Sequence, residues 1–284
     1  MPDTMVSDRA ACASRRCASP TPFAREADML LPLVEGYKRY AGPGDLVALY
    51  EVQTTRGVVD LVFVEFDFDV TSSRLLYEID SITDFSLAQV VHVLSSTSKN
   101  NPEGLTTGEL AAAVGLSRDH IRRAVLRSES ARHWVAEVCG RWVMAREYRS
   151  PIKKIVAVEA KRSDWRRAIS QAASHVEFAD ITYVAMDASR LPKNENWRGP
   201  LIHAGLGLVA VSALEAVDDR RSLSVRKVLK PRRSRPKGPS RLVVAERIVD
   251  LVQNGSKSGP VAPVFGEVLT SSWGDDPRLT PDFQ

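Results

Sequence analysis

Apolar residues in this sequence recur with two spacings, one typical of β-strands and one typical of α-helices. In residues 153–186 the spacings follow one another as strand, helix and strand. The β-branched run 155–158 predicts a buried strand. After Ser163, which we expect to cap a helix, apolar residues recur at helical spacing through 165–176 and predict an amphipathic helix. The apolar run 181–186 then predicts a second buried strand.

The preceding residues divide in the same way. Residues 23–40 show helical spacing and predict a helix that Pro32 kinks or divides. Residues 47–53 and 58–66 predict a β-hairpin that turns at 54–57, where polar residues and a glycine are concentrated.

Between this hairpin and the strand at 155–158 lies a segment with its own pattern. It predicts a helix at 86–94, two helices joined by a tight turn within 105–125, and a hairpin at 134–144. Thr106 or Thr107 and Ser117 are suited to begin the two helices, and Gly115 permits the turn between them. Two helices joined in this way and followed by a hairpin resemble a winged helix-turn-helix.

The second helix of this segment leaves four arginines outside its apolar face: Arg118, Arg122, Arg123 and Arg127. Arginines in this position can reach phosphates or guanine edges in the major groove, so we expect them to bind nucleic acid. Winged helices also mediate protein contacts, which is the alternative interpretation of the segment.

Two predicted strands carry charged residues beside apolar ones. Because side chains alternate across a strand, Glu159 and Lys161 project from one face, and an ordinary salt bridge is the simplest interpretation of that pair. Asp60, however, lies inside the apolar run 58–64, and a carboxylate is costly to bury unless it is paired or bound to a metal. If the strands are neighbours, Asp60 and Glu159 converge on one divalent cation, which prefers oxygen ligands.

These residues occur in a recognisable order: a helix with Glu26, a hairpin with Asp60, a strand ending in Glu159-Ala160-Lys161, then a helix and a strand. The order resembles the PD-(D/E)XK, or restriction-endonuclease-like, nucleases. The resemblance covers residues 22–68 and 151–217. It implies an α/β fold with a restriction-endonuclease-like core, in which helices flank a central mixed sheet, and with an inserted winged-helix domain.

The chain departs from the family pattern in two places. Val59 stands where the family name has proline. The spacing between Asp60 and Glu159 is also long, which an insertion at 81–149 explains. Short connections on both sides of the insertion would hold it near the catalytic cleft.

The resemblance also implies a role for each residue. Asp60 and Glu159, with Glu26 acting through a water molecule, would bind Mg²⁺ or Mn²⁺. Asp28 and Glu35 are alternatives to Glu26 in this role. Lys161 would orient the attacking water or stabilise charge on the phosphate. Gln171, on the following helix, matches a glutamine that some members carry and would hold a water or a phosphate. His175, one turn later, is expected to be a surface or capping residue.

Positive charge is concentrated in one block of the chain. The net charge is +4, from 39 Lys and Arg against 35 Asp and Glu, and ten of the basic residues lie in 220–241 without any acidic residue. Prolines interrupt this block, so we expect a strand or short helix that continues as an extended arm. Arg232, Arg233 and Arg235 are its candidate phosphate contacts. The alternative is a solvated linker.

The chain has 284 residues and 44% hydrophobic content, which predicts a soluble protein. The absence of a membrane-length apolar run and of a signal-peptide segment predicts a cytoplasmic location. The expected divisions are a disordered leader (1–21), a nuclease core (22–80 and 150–217), an inserted winged helix-turn-helix (81–149), a basic arm (218–241) and a C-terminal helix with an irregular tail (242–284). The helix is expected at 242–252, docked on the core or on a second copy.

Together these features predict a magnesium-dependent deoxyribonuclease that hydrolyses phosphodiester bonds in DNA, with the winged helix and the basic arm positioning the nucleic acid. Structured RNA stays open as a substrate, as do endonuclease and exonuclease action and the formation of a homodimer. Two other functions fit the pattern. One is a catalytically inactive DNA-binding regulator that uses the winged helix, and the other is a protein-interaction module.

Overall fold

A mixed six-stranded β-sheet forms the centre of the molecule, as seen in a computed structural model that describes residues 22–39, 41, 46–213 and 223–254. In chain order the strands are β1 (Val47–Thr54), β2 (Gly57–Phe66), β3 (Leu105–Thr106), β4 (Val135–Val138), β5 (Arg141–Met144), β6 (Ile152–Lys161), β7 (Ile181–Asp187), β8 (Gly207–Ala213) and β9 (Leu223–Leu229). The large sheet has the order β1-β2-β6-β7-β8-β9, and β3-β5-β4 form a small second sheet.

Helices pack around the large sheet and form most of the segment between β2 and β6. They are α1 (Leu30–Glu35), α2 (Phe68–Leu76), α3 (Phe85–Thr97), α4 (Thr107–Val114), α5 (Arg118–Leu126), α6 (Ala131–Trp134), α7 (Trp165–His175), α8 (Arg198–Ala204) and α9 (Pro239–Asn254). The fold is therefore α/β, with a mixed sheet flanked by helices, as the sequence predicts at this level. In the described ranges no helix is both long enough and apolar enough to cross a bilayer.

The strand directions bring the ends of neighbouring strands together. β1 and β2 form the predicted antiparallel hairpin, and β2 is antiparallel to β6. β6, β7 and β8 are parallel, because α7 and α8 provide the crossover connections that parallel strands need. The carboxyl ends of β6 and β7 therefore lie side by side.

The structure divides the helix predicted at 23–40, as the sequence allows, but the division is not at Pro32, and residues 27–39 form three short pieces. A 3₁₀ turn at Ala27–Met29 precedes α1, and a second 3₁₀ turn follows at Tyr37–Arg39. The division falls at Gly36, which ends α1 and donates its N–H to Pro32 O at 2.9 Å. Pro32 does not break α1, because it lies in the first turn, where a backbone N–H has no intrahelical partner.

The segment between β2 and β6, hereafter the insert, has the predicted local signals. Thr106 and Glu109 form a reciprocal capping box at the start of α4. Gly115, with a φ of 78°, ends α4, and the Ser117 side chain accepts from His120 N at the start of α5. The predicted hairpin is β4–β5. The pattern did not indicate α2, nor the short elements β3 and α6.

One apolar cluster joins the insert to the large sheet through α9. Val62 of β2, Val244 of α9 and Leu87 of α3 all belong to this cluster and are fully buried. α9 thus packs on the core of the same chain, and it begins three residues before the predicted start at 242. The insert and the sheet therefore share a single hydrophobic core.

A buried ion pair strengthens this junction. Both carboxylate oxygens of Glu246, on α9, lie 2.7 Å from Arg74 Nη1, on α2. Tyr148 Oη donates to Glu246 at 2.9 Å, and Arg74 Nη2 donates to Arg149 O at 3.0 Å. Only 4% of the Arg74 side chain and none of the Glu246 side chain is exposed, so this network ties α2, α9 and the end of the insert together.

The connections of the insert leave the sheet far from Lys161. Phe66 pairs with Ile152, and Asp67 N donates to Pro151 O at 2.8 Å, so both connections lie at the start of β6. Lys161 ends the same strand nine positions after Ile152, which is about 30 Å away in an extended strand. From the sequence we expect the connections to hold the insert beside the catalytic cleft. They do not, because they lie at the opposite end of β6 from Lys161.

Candidate functional site

The Lys161 ammonium group contacts three carboxylates that come from distant parts of the chain. Lys161 Nζ lies 2.8 Å from Glu159 Oε1, 3.4 Å from Asp60 Oδ2 and 3.4 Å from Glu26 Oε2. It also donates to Ala160 O at 2.9 Å. The structure thus brings together the four charged residues of the predicted catalytic site, Glu26, Asp60, Glu159 and Lys161; these four side chains are called the carboxylate cluster below.

Strand pairing positions Asp60 and Glu159. Leu61 pairs with Val158, and the same register continued by one residue sets Asp60 opposite Glu159. Asp60 Oδ2 accepts a hydrogen bond from Ala160 N at 2.8 Å, which fixes the carboxylate at the end of the pairing. The predicted neighbour relationship of the two strands is therefore correct.

Glu26 reaches the carboxylate cluster from the segment before the first 3₁₀ turn, and Asp187 anchors that segment. The fully buried Asp187, at the end of β7, accepts a hydrogen bond from Phe23 N at 2.9 Å. Glu26 Oε1 in turn accepts from Arg162 N at 3.4 Å. The sequence pattern did not identify Asp187, although a carboxylate that directly follows an apolar strand is the signal that could have found it.

The carboxylate cluster extends from the core to the surface. The side chains of Glu159 and Lys161 are 1% and 10% exposed, whereas those of Asp60 and Glu26 are 32% and 47% exposed. Three carboxylates surround one ammonium group, so negative charge is in excess. The exposed side of the cluster is where a ligand from solvent can approach.

Burial and the neighbouring charges shift the pKa values in different directions. Burial, together with the Glu159 charge, raises the pKa of Asp60 above its ordinary value. Burial also opposes ionisation of Glu159, but hydrogen bonds from His175 and Lys161 outweigh it and lower the pKa of that carboxyl. For Lys161 burial is likewise outweighed, by its bond to Glu159 and by the charges around it, and its pKa rises. Glu159 is therefore held ionised, whereas Asp60 takes up a proton more readily than an ordinary aspartate.

The expectation that His175 is a surface or capping residue is wrong. Its side chain is 3% exposed, and its Nε2 lies 3.2 Å from Glu159 Oε2. Lys161 contacts the other oxygen of this carboxylate, Oε1. Ser174 Oγ lies 3.3 Å from the other ring nitrogen. The last turn of α7 packs against β6 and places His175 beside Glu159. The contact between the two side chains fixes the orientation of the Glu159 carboxylate.

The other predicted residue of α7, Gln171, is half-buried one helical turn before His175. Its Oε1 atom is inaccessible to solvent and has no hydrogen-bond partner among the described residues. The N-cap of α7 is Asp164, whose carboxylate accepts from Arg167 N at 3.0 Å, and the predicted cap Ser163 precedes it. Serine and aspartate both cap helices well, so the sequence pattern does not distinguish Ser163 from Asp164 as the N-cap.

The predicted nucleic-acid contacts on the insert are all exposed. Arg118, Arg122 and Arg123 lie on α5, and Arg127 is the residue that ends it. Arg123 Nε donates to Asp119 O at 3.3 Å, so one of the four is partly engaged within the helix. All four are placed to contact a ligand at the surface of the insert.

The predicted basic arm begins as β9 and continues as an extended segment, as expected for the part of it that the structure describes. Arg232, Arg233 and Arg235 are exposed. The segment is tied to the core, because Arg232 N donates to Gly205 O at 3.0 Å and Ser234 N donates to the backbone oxygen of Asp180 at 2.9 Å. It is therefore held against the molecule along this stretch.

The extended part of the arm, which carries Arg232, Arg233 and Arg235, lies away from the carboxylate cluster. Ser234 N donates to Asp180 O, and Asp180 N donates to Ile155 O at 2.9 Å, so this part lies at the level of Ile155. Lys161 follows six positions later, about 20 Å along an extended strand. Other predicted segments, namely the leader 1–21, residues 214–222 and the tail from 255 onwards, lie outside the described residues.

The chemistry of the carboxylate cluster fits a hard divalent cation, which prefers carboxylate oxygens and a net negative site. The carboxylates are arranged around Lys161 Nζ, however. Within the described ranges no group of three or more His, Cys, Asp or Glu side chains is arranged to hold a metal ion. Asp60 and Glu159 are the two residues that could hold a cation, with Lys161 beside it.

Comparison with family models, with curated proteins and with solved structures gives no match to this chain. Its functional interpretation therefore depends on the residues and on their arrangement.

Proposed function

We propose that this protein is a metal-dependent nuclease that hydrolyses phosphodiester bonds in DNA. The observation that carries the proposal is the shared contact of the Lys161 ammonium group with Glu26, Asp60 and Glu159 at the end of β6. An ordinary surface salt bridge would pair one lysine with one carboxylate. Three carboxylates drawn from separate segments are costly to bring together, and a site for a cation and a phosphate explains why they converge.

The order of the elements supports a restriction-endonuclease-like core as the finer fold. A Glu-bearing segment, the hairpin β1–β2 with Asp60, β6 ending in Glu159-Ala160-Lys161, then α7 and the parallel β7 follow the order of that family. In the same proposal the insert is a winged helix-turn-helix, with α4 and α5 as its two helices and β4–β5 as its wing. The capped helices and the glycine at their turn support this assignment.

In the proposed reaction Asp60 and Glu159 hold the cation, and Glu26 contributes from the exposed side. A bound Mg²⁺ or Mn²⁺ supplies Lewis acidity and lowers the pKa of a water molecule. Glu159 stays ionised at neutral pH because Lys161 and His175 each donate to a different one of its oxygens. It therefore offers a fixed negative ligand without needing to lose a proton.

Lys161 stabilises the additional negative charge that develops on the phosphate. Its Nζ has four oxygen neighbours but only three protons to donate, and two of the four contacts are long, at 3.4 Å. The bonds to Glu159 and Ala160 hold the ammonium group in place. The contacts to Asp60 and Glu26 are the ones that a phosphate oxygen can replace at little cost.

Cleavage of supercoiled plasmid tests the proposal. The native chain is compared in Mg²⁺, Mn²⁺ and EDTA with Asp60→Ala and Lys161→Ala. The matched controls are Asp69→Ala, an exposed carboxylate on α2, and Lys153→Ala, an exposed lysine on β6. We expect metal-dependent nicking in the native and control chains and none in the two site variants. Equal nicking in all five proteins would assign the activity to a contaminant and reject the site.

A second candidate is a catalytically inactive DNA-binding regulator that uses the insert. The central position of Lys161 Nζ among the carboxylates favours it, because the ammonium group neutralises part of the charge a cation would need. Titration of Mn²⁺ into the native chain separates the two candidates. Binding that is lost in Asp60→Ala supports the nuclease, whereas DNA binding without any metal binding supports the regulator.

A further inference from the structure

A cavity of about 260 Å³ lies where the insert, the arm and α9 meet. Its volume is close to the lower end of the range for small-molecule sites in proteins, about 300 Å³. The polar residues of its lining are His92 and Ser95 on α3, Tyr148 and Ser150 at the end of the insert, Lys237 on the arm, and Arg241 on α9.

The cavity is distant from the carboxylate cluster. Arg241 Nη2 donates to Lys153 O at 3.4 Å, so this wall of the cavity lies near the start of β6. Lys161 ends the same strand eight positions after Lys153, about 25 Å away in an extended strand. A ligand in the cavity therefore does not occupy the proposed catalytic site.

The chemistry of the lining suits an anion. Three of the lining residues are basic and three carry a hydroxyl group, and among the described residues that line the cavity none is acidic. Ammonium, imidazolium and hydroxyl groups all donate hydrogen bonds to a negatively charged ligand, and the charged donors bind it most strongly. A cation would find no carboxylate in this lining.

Arg241 is already paired within the protein. Its Nη1 lies 2.9 Å from Asp180 Oδ2 and donates to Phe178 O at 2.9 Å. The Asp180 carboxylate thus balances the charge of the guanidinium group. Arg241 forms a wall of the cavity, and the charge that is free for a ligand has to come from the other two basic residues.

His92 and Lys237 have no such partners. Neither side chain has a hydrogen bond or an ion pair with any described residue. Lys237 is exposed and His92 is half-buried. Burial lowers the pKa of His92, as expected for an imidazole whose charged form has no anion beside it. Two basic groups therefore meet at the cavity, from the arm and from α3, without a negative charge between them.

One of the three hydroxyl groups is also available to a ligand. Ser95 Oγ lies 3.6 Å from the sulfur atom of Met144, which is a weak acceptor, so its proton can turn to a better one at little cost. Ser150 Oγ donates to Ile152 O at 2.9 Å, and Tyr148 Oη donates to Glu246. Those two hydroxyl protons are committed to the protein.

We propose that this cavity binds a phosphate group, held by His92 and Ser95 on one side and by Lys237 on the other. Three separate donors on two sides suit the tetrahedral oxygens of a phosphate, whereas a planar carboxylate is matched by the fork of a free guanidinium group. The inference does not rest on the proposed nuclease activity. Inorganic phosphate, a small nucleotide and a nucleic-acid backbone all offer this group, and the experiment separates these sources.

Isothermal titration calorimetry of the full chain in EDTA measures the binding of three probes: inorganic phosphate, deoxyadenosine monophosphate and a short DNA duplex. His92→Ala and Lys237→Ala should each weaken phosphate binding by about tenfold or more, the effect of losing one hydrogen bond to a charged group. Ser95→Leu fills the cavity without changing its charge and should weaken binding as well. Thermal unfolding shows that each variant is folded, and phosphate should raise the midpoint of the native chain more than that of these variants.

The matched controls are Lys230→Ala, an exposed lysine of the arm, and His203→Ala, an exposed histidine on α8. Both should bind the probes as the native chain does, and so should Lys161→Ala. Tighter binding of the nucleotide than of inorganic phosphate would assign a small nucleotide as the ligand. Binding of the duplex alone, if the same three cavity variants lose it, would assign the phosphate of a nucleic acid.

Three results would overturn the proposal. One is the absence of binding for all three probes. Another is an equal loss in Lys237→Ala and Lys230→Ala, which would indicate a general charge effect. The third is a loss in Lys161→Ala but not in the cavity variants, which would place the ligand at the carboxylate cluster. Plasmid nicking is independent of these outcomes, so a failure of the nuclease assignment leaves the cavity site standing.

Discussion

His175 Nε2 lies 3.2 Å from Glu159 Oε2 in the interior of the protein, where neither side chain is more than 3% exposed. Lys161 contacts the other oxygen of the same carboxylate. Glu159 is therefore held from both sides by donors on different elements. This arrangement links the packing of α7 to the orientation of the residue that we propose as the main cation ligand.

Replacing His175 tests this link. His175→Ala should reduce metal-dependent nicking by about 10- to 100-fold, the usual effect of losing a residue that orients a metal ligand. His175→Gln keeps an N–H donor and should retain most of the activity. The loss should appear in Mn²⁺ affinity, measured by titration, as well as in the rate. His203→Ala, an exposed histidine on α8, is the control, and a similar loss there would contradict the proposed role.

Removing the Asp60 charge should raise the stability of the metal-free protein and lower the nuclease activity. Because the pKa of Asp60 is raised in the folded protein, its ionised form is less favourable there than in the unfolded chain. This cost is absent at pH values below the ordinary value of 3.8 and develops as the pH rises through the folded-state pKa. Asp60→Asn should therefore stabilise the metal-free protein at neutral pH.

The same substitution should abolish function, because asparagine is a weak cation ligand. We expect nicking to fall by at least about 100-fold, the scale of losing one group in an electrostatic site. Thermal unfolding in EDTA at pH 7 and at pH 3.5 measures the stability effect. A midpoint that falls at pH 7, or a gain that is equal at both pH values, would show that the Asp60 charge does not oppose folding.

The buried pair of Arg74 and Glu246 should be the main polar contribution to the junction between the insert and the sheet. Glu246→Ala leaves the Arg74 guanidinium group buried without its partner, so we expect a loss of about 3–5 kcal/mol in the free energy of unfolding. Urea denaturation followed by circular dichroism measures it. The control is Glu147→Ala, which breaks an exposed pair with Arg149 and should cost no more than about 1 kcal/mol.

The same measurement shows whether the insert and the sheet unfold together. The shared hydrophobic cluster predicts a single transition in the native chain. Two separate transitions would show that α9 does not couple the two parts.

The exposed arginines of α5 should contribute to affinity without affecting the chemical step. Arg122→Ala should weaken DNA binding and lower the salt slope by about 0.9, whereas Arg122→Lys should keep the slope. The nicking rate at saturating DNA should stay the same in both variants, because α5 belongs to the insert, whose connections lie at the opposite end of β6 from Lys161. A fall in that maximal rate with unchanged binding would place α5 at the carboxylate cluster instead.

Hydrophobic spacing and local turn chemistry were sufficient to predict much of the secondary structure. The hairpin β1–β2, the sequence β6–α7–β7 and the two capped helices of the insert are set by residues within a few positions of one another. Asp60 and the pair of Glu159 and Lys161 could be identified for a related reason. Charged residues beside apolar strand positions are unusual, and the cost of burying them makes the anomaly informative.

Other features depended on contacts between residues more than 100 positions apart. Glu26 reaches Lys161 because Asp187 holds Phe23. The distance between the extended part of the arm and the carboxylate cluster arises because the arm is held near the start of β6, whereas Lys161 ends that strand. No local spacing encodes such distances, because the register and order of strands are decided by how whole faces pack together.

The sequence by itself determined the hairpin β1–β2, the order β6–α7–β7 and the capped helices of the insert, and it predicted that Asp60, Glu159 and Lys161 lie together. The tertiary structure alone decided that His175 is buried against Glu159 and that Glu26 reaches Lys161, while the extended part of the arm is held near the start of β6. The reason is physical: a pattern along the chain reports what each residue prefers, whereas burial and proximity arise only when separate segments pack against each other.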